Sequence, residues 1–270
     1  MNYLQFNDRG KFEPEEQALA NYFGDGNYVG FYKKHFLHDK FQITKDDFIA
    51  GDIDVMFHAM KRLGIEYSYN DYPECLKPYL HRTVWEDELG NVKIKLFAEG
   101  CYLKSPIFIK PKDRLKRFTG FVLECVDDLS NCRGAGNQTK IWCSEPVVFT
   151  DEFRCYLRKH KGGLDTKYEL EAIGTYKGTL VDKDKMSDFS DVLFKILDDI
   201  SYESQKFFED GRGNLFPSAF VLDLGILSTG EVALIEMNDA FSIGKYNGID
   251  DETYAKFVIT RWDELKSTVK

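Results

Sequence analysis

Residues 220–241, FVLDLGILSTGEVALIEMNDAF, constrain this chain more than any other stretch. Two apolar runs flank Ser228-Thr229-Gly230, which has the composition of a turn between antiparallel strands. In the first run Leu222, Leu224 and Ile226 share one face and Asp223 lies on the other; in the second, Glu236 and Asn238 share a face. With Thr229-Gly230 as a two-residue turn, Asp223 stands opposite Glu236 on the same side of the sheet. Like charges so placed repel. A divalent cation between them reverses the sign, and the oxygens of Asp, Glu and Asn are the hard ligands that Mg²⁺ prefers. The other reading of this pattern is the solvent-facing polar side of an ordinary antiparallel sheet.

A second feature stands out against the charge of the whole chain. With 36 Lys+Arg and 45 Asp+Glu the net charge is −9, which argues against a general nucleic-acid binder. Yet PIFIKPKDRLKRFTGFVLE, residues 106–124, lies in a cluster where Lys104, Lys110, Lys112, Arg114, Lys116 and Arg117 face the single acid Asp113. Lys110 closes one apolar run, and Thr119-Gly120 opens the next. Ammonium groups neutralise a triphosphate, and glycine lets backbone N–H groups come close to it. A solvated basic hairpin tip fits the same spacing. In SEPVVFTDEFRCYLR, residues 144–158, Glu152, Arg154 and Tyr156 alternate onto one strand face. A lone strand arginine becomes an anion ligand only if the other two constellations lie beside it. CRGAGNQ, residues 132–138, matches neither phosphate-loop fingerprint and reads as a loop. No G-x-S-x-G elbow and no H-E-x-x-H motif is present, so nothing marks a protein nucleophile or a zinc hydrolase.

The chain has 270 residues, 43% hydrophobic and 15% aromatic, enough for a sizeable core. No apolar run approaches the roughly 18–20 residues that span a bilayer. The opening MNYLQFNDRGKFEPEE lacks a basic-then-apolar leader. Its six cysteines are scattered, with no C-x-x-C pair, as expected of free thiols in a reducing cytoplasm. Helices are expected over 13–23, 52–63 (stopped by Gly64), 186–210 and 253–266. Strands are expected over 92–98, 106–110, 121–126, 140–149 and 153–158 and on either side of Ser228-Thr229-Gly230. Strand clusters interrupted by a long helix indicate an α+β architecture.

Together these segments resemble the ATP-grasp superfamily, and most closely its phage-associated clade named for one conserved arginine and two lysines. GDIDVMFHAMKRLGIEY with DYPECLKPYLHR is similar to the clade's N-terminal region, and FIKPKDRLKRFTGFV to its lysine strand and phosphate loop. SEPVVFTDEFRCYL is similar to its adenine-side hinge and E-x-R strand, and LDLGILSTGEVALIEMNDAFSIGKYNG to its metal-binding hairpin. The resemblance implies two α+β subdomains sandwiching ATP behind a reduced N-terminal domain. On that basis residues 1–80 form the N-terminal α/β region and 81–270 the ATP-grasp domain, its nucleotide cleft lying between 104–158 and 220–241.

Carried over by position, Lys110 contacts the α- and β-phosphates, with Lys116, Thr119 and Gly120 in the loop over them. Arg82 stands for the clade's arginine, and Glu145 and Val147 border adenine and ribose. Arg154 faces the transferring phosphate, and Asp223, Glu236 and Asn238 hold Mg²⁺. The implied activity is carboxylate–amine ligation through an acylphosphate, with ATP and Mg²⁺ as cofactors. Its substrates would be an unidentified carboxylate and amine, small molecules or a peptide terminus, with no membrane partner. It would take place in the cytoplasm, the host's where the protein is phage-encoded. The alternative is an ATP-binding assembly factor or chaperone of the same fold without ligation, to which EFRC is also similar.

Overall fold

The computed structural model describes residues 1–112, 117–160, 167–178, 183–211 and 214–269. The chain divides into two compact units, Met1–Tyr79 with Phe149–Lys270, and Leu80–Val148.

The first unit begins with a parallel sheet. Strand β1 (Asn2–Phe6) leads through helix α1 (Pro14–Phe23) to β2 (Val29–Tyr32). Helix α2 (Lys33–Leu37) then leads to β3 (Phe48–Ala50) and helix α3 (Ile53–Leu63). The strand order is β2-β1-β3, with both pairings parallel. The proline at the start of α1 costs nothing, since the first N–H groups of a helix lack internal partners anyway. Val55, Met56, Ala59 and Met60 of α3 are buried at helical spacing, and Gly64 closes the helix in the left-handed conformation, as its sequence predicts.

The second unit is a four-stranded antiparallel sheet. Its elements are β4 (Val84–Glu88), α4 (Leu89–Ala98), β5 (Tyr102–Pro111), β6 (Phe121–Cys125) and β7 (Lys140–Ser144), in strand order β4-β7-β5-β6. The strand expected at 92–98 is the helix α4 instead. Alternation over V-K-I-K-L fits either period on so short a stretch. Tertiary packing selects Leu89, Val92 and Leu96, which are buried at helical spacing, while Ile94 is 69% exposed. The strand expected at 140–149 is broken after Ser144, and the chain enters the first unit again at Phe149.

The first unit then completes an antiparallel sheet of β8 (Phe149–Lys159), β9 (Tyr168–Lys177), β10 (Ala219–Leu227) and β11 (Val232–Asp239). The order is β11-β10-β8-β9. Helix α5 (Lys183–Glu209) separates β9 from β10, and α6 (Asp251–Ser267) ends the unit. Strand β10 is central and buried along both faces, so the reading of one polar face does not hold for it. Asp223 is the one residue of β10 that is not fully buried.

Two interactions fasten this sheet to the rest of its unit. On α6, Arg261 grips Asp239 through Nε and Nη2, both at 2.8 Å, and Trp262 donates its indole N–H to the Asp47 carbonyl at 3.1 Å. Among the described residues no helix is long and apolar enough to cross a membrane. All six cysteines are free.

Candidate functional site

The hairpin β10–β11 brings Asp223 opposite Glu236, but by a different route from the one its sequence suggests. The turn is a three-residue loop, Ser228 to Gly230, in which the Leu227 N–H donates to the Glu231 carbonyl and Gly230 takes a φ of 95°. That loop shifts the pairing by one residue, giving Leu224 opposite Leu234. An irregularity between Asp223 and Leu224 leaves Ile235 as the extra residue on β11 and restores Asp223 opposite Glu236. Bulges of this kind gather beside functional sites because they re-aim side chains.

On the other edge of β10, Asp223 pairs with Arg154 of β8. Arg154, Asp223 and Glu236 therefore form a row across three neighbouring strands. The guanidinium donates from Nε to Asp223 Oδ1 and from Nη2 to Oδ2, both at 2.8 Å. Its carbon lies 4.3 Å from the centre of the Tyr246 ring, and Nη1 donates to the Gly244 carbonyl at 3.4 Å. Burial works against the charge of Arg154, but the Asp223 carboxylate beside it more than compensates and the net direction is up. For Asp223, burial raises the carboxyl above the usual range and Glu236 adds to that, while the Arg154 fork and the Asn238 amide oppose it. Glu152, one step along the Arg154 face, is raised first by burial, with Lys177 lowering it and Asp223 raising it.

Asn238 links the two carboxylates. Its Nδ2 donates to Asp223 Oδ2 at 3.0 Å and to Glu236 Oε1 at 2.8 Å. Two opposed carboxylates need positive density between them, and here the amide N–H groups supply it. Turning that amide presents its oxygen, so two carboxylates and one amide oxygen form a donor set that suits Mg²⁺. Such ions are commonly held by one or two carboxylates, the phosphates of a nucleotide supplying the rest. Among the described residues no group of three His, Cys, Asp or Glu side chains could hold a metal unaided.

The remaining expected residues lie in the second unit. Lys110 is half-buried on β5, opposite Trp142 of β7. Gly120 is required there by close approach: a Cβ at this position would stand 2.5 Å from the Phe108 ring and 3.2 Å from the Lys110 Cβ. Thr119 is exposed beside it. Lys116 lies outside the described residues. Arg82 is half-buried and donates to the Leu80 carbonyl at 3.0 Å. Glu145 accepts the Thr83 N–H at 2.8 Å, which lowers its pKa, and Val147 is half-buried two residues on. Arg82 and Glu145 are thus brought to the same strand entrance through Thr83, whereas Lys110 occupies a different strand.

The sheet β11-β10-β8-β9 carries this row across its three neighbouring strands β8, β10 and β11. Solved structures with a similar fold include N5-carboxyaminoimidazole synthetase from Staphylococcus aureus, with a TM-score of 0.51 and 8% identity over 96% of this chain and 77% of that one. D-alanine–D-alanine ligase from Bacillus anthracis gives a TM-score of 0.49 and 10% identity over 99% and 98% of the two chains. A RimK-domain ATP-grasp protein from Sphaerobacter thermophilus gives 0.47 and 9% over 100% and 99%. Comparison with curated proteins finds no match. Residues 79–257 match the model of an ATP-grasp domain, the second family of the clade named for one arginine and two lysines, and the chain belongs to that family.

Proposed function

We propose that this protein is an ATP- and Mg²⁺-dependent carboxylate–amine ligase that works through an acylphosphate. The observation that supports this reading best is the row Arg154–Asp223–Glu236 with Asn238 linking the two carboxylates, in a chain of the ATP-grasp family. Asp223, Glu236 and Asn238 would hold Mg²⁺, which when bound neutralises the triphosphate and polarises the γ-phosphoryl group. Lys110 would neutralise the α- and β-phosphates, and Thr119, Gly120 and Lys116 would lie against them. Arg82 would add charge on the N-terminal side, and Glu145 and Val147 would border adenine and ribose.

In the first step a substrate carboxylate oxygen attacks the γ-phosphorus; the new O–P bond forms as the bond to the β-phosphate oxygen breaks, releasing ADP. An amine nitrogen then attacks the acyl carbon, the C–N bond forms, the C–O bond to phosphate breaks, and the amine gives up a proton. Positioning and charge neutralisation supply most of such catalysis, so Arg154 and Lys110 suffice without a protein nucleophile. The guanidinium of Arg154 is fixed by Asp223 and lies over the Tyr246 ring, and its remaining N–H groups would meet oxygens of the transferring phosphoryl group. The test is ADP release against a panel of small carboxylates and peptides with Mg-ATP. Release that depends on one of them, with phosphate and a new amide as co-products, supports ligation. ATP turnover indifferent to every carboxylate and amine would instead indicate an assembly factor of the same fold.

A further inference from the structure

Residues 243–246 follow β11 and lie in neither helix nor strand. Such backbone usually sits at the mobile, low-stability end of a fold. Here neighbouring elements hold it group by group. Tyr254 of α6 donates its hydroxyl to the Ile243 carbonyl at 2.6 Å, and the Lys245 N–H donates to Glu15 Oε1 of α1 at 2.8 Å. At the far end the Thr175 N–H of β9 donates to the Asn247 carbonyl at 3.0 Å. Between these anchors stands Tyr156 of β8, fully buried, its ring edge-on to Phe257 of α6. Its hydroxyl is used in both senses: it donates to the Gly244 carbonyl at 2.9 Å and accepts the Tyr246 N–H at 3.0 Å. Burial pushes this phenol up to about 12 while the Tyr246 N–H works against the rise, so the hydroxyl keeps the proton it donates.

What this loop supports is the Arg154 guanidinium. A guanidinium has five N–H donors in one plane. Nε and Nη2 each give one to Asp223 and Nη1 gives one to the Gly244 carbonyl, which leaves two, one on each Nη. The pair with Asp223 fixes one edge of the plane but leaves the plane free to rock about that edge. Two further contacts oppose the rocking: the Gly244 carbonyl on Nη1, and the Tyr246 ring against the face, 4.3 Å from Cζ.

Both of those contacts belong to the loop, and both depend on the Tyr156 hydroxyl, which holds the carbonyl of one and the backbone N–H of the other. Tyr156 stands two residues beyond Arg154 on the same strand face. Gly174 of β9, paired with Arg154, leaves room for the loop to cross there. A Cβ at Gly174 would stand 2.8 Å from the Tyr246 Cβ and 3.3 Å from Tyr156 Cε2. One buried oxygen atom thus fixes the two constraints on Arg154 that Asp223 does not supply.

We propose that Tyr156 is a positioning residue for phosphoryl transfer: through Gly244 and Tyr246 its hydroxyl fixes the direction in which the two remaining N–H groups of Arg154 point. This rests on the ligase reading for what those groups meet. Tyr156 itself touches no reacting atom. Misplacing a group by about 1 Å can cost on the order of 100-fold in rate. The loss falls on charge that develops during transfer rather than on charge present throughout, so binding of the nucleotide itself is spared.

The test uses the full-length protein and Tyr156→Phe, which keeps the ring in the core and removes the one oxygen. The first readout needs no nucleotide. Nitrogen-15 NMR of the arginine side chains, with Arg154→Lys to assign the Arg154 signals, should show separate Nη1 and Nη2 resonances in wild type. In Tyr156→Phe the Nε–H bonded to Asp223 should persist while the Nη pair averages to a single signal. The second readout is calorimetry of Mg-ADP alone and of Mg-ADP with aluminium fluoride, a mimic of the transferring phosphoryl group. Tyr156→Phe should bind Mg-ADP within about twofold of wild type and the fluoride complex roughly tenfold or more weakly. Tyr246→Phe keeps the stacked ring and should match wild type in both readouts, whereas Tyr246→Leu should reproduce Tyr156→Phe. Nη signals unchanged by Tyr156→Phe, an averaged pair already in wild type, or a fluoride complex weakened no more than Mg-ADP overturns the proposal. If Tyr156→Phe fails to fold, the two Tyr246 variants carry the same comparison. Absence of Mg-ADP binding in wild type would sink the ligase reading, and the Nη signals would still decide whether Tyr156 fixes Arg154.

Discussion

Replacing Glu16 with glutamine should make the protein more stable, and only above a definite pH. A rise of the carboxyl from the ordinary 4.5 to about 8 in the folded state amounts to about 5 kcal/mol at roughly 1.4 kcal/mol per pH unit. That is an upper figure, since any water reaching the carboxyl reduces it. The sign follows from which state binds the proton. Between pH 4.5 and about 8 the folded protein keeps the Glu16 proton and the unfolded chain has lost it. Stability therefore falls as pH rises through that window, and the penalty is complete above it. Below pH 4.5 the group is protonated in both states and contributes no such term. Glutamine has the same shape and no charge to desolvate. Each kcal/mol moves Tm by roughly 2–4 °C for a chain of this size, so Glu16→Gln should melt on the order of 10 °C higher at pH 9. At pH 4.5 the two proteins should melt together. Differential scanning calorimetry across that range measures the difference directly. A lower Tm for the variant at pH 9 would refute the reasoning, because it would mean that Glu16 has a stabilising partner. A difference independent of pH would refute it as well.

Other expectations rest on the same geometry. Arg154→Ala leaves the buried Asp223 carboxylate without its partner and should cost about 3–5 kcal/mol in urea unfolding. Arg154→Lys should recover only part of that, because an ammonium cannot make the two-pronged contact. Glu236→Gln should raise Tm modestly in the absence of Mg²⁺, by up to about 1 kcal/mol, since it removes a charge opposite Asp223; a lower Tm would show that the pair does not repel. Gly120→Ala drives a methyl into the Phe108 ring and should cost roughly 1–3 kcal/mol, seen as easier unfolding of residues 80–148 by hydrogen exchange.

The β10–β11 hairpin is legible because its residues are neighbours in sequence. Asp223, Glu236 and Asn238 lie within one turn's reach, and alternation alone sets them on one face. Even there two departures cancel: a longer turn, closed by Gly230 at positive φ, and a bulge at Ile235 that no residue type marks. The Arg154–Asp223 pair depends on β8 lying beside β10, with β9 and α5 intervening in the chain, and no local pattern encodes that register. Helix α4 reads as a strand because five alternating residues satisfy a strand as well as a helix, and only packing of Leu89, Val92 and Leu96 decides. Strands β1, β2 and β3 escape notice because they have five, four and three residues, too few to show a period. The burial of Glu16 is invisible in the sequence for a related reason. Glutamates after a helix-initiating proline are what an exposed helix start requires, and the packing of α1 against α6 is a property of the tertiary structure.

The measurement that bears most directly on the central claim is calorimetric titration of ATP with and without Mg²⁺, in wild type and in Glu236→Gln. If Asp223, Glu236 and Asn238 hold the ion that accompanies the triphosphate, wild type binds ATP markedly more tightly with Mg²⁺ than with EDTA. Glu236→Gln, correctly folded by circular dichroism, should lose most of that difference while keeping the metal-independent part of the affinity. Equal affinity with and without Mg²⁺ in wild type, or an undiminished Mg²⁺ effect in Glu236→Gln, would contradict the assignment.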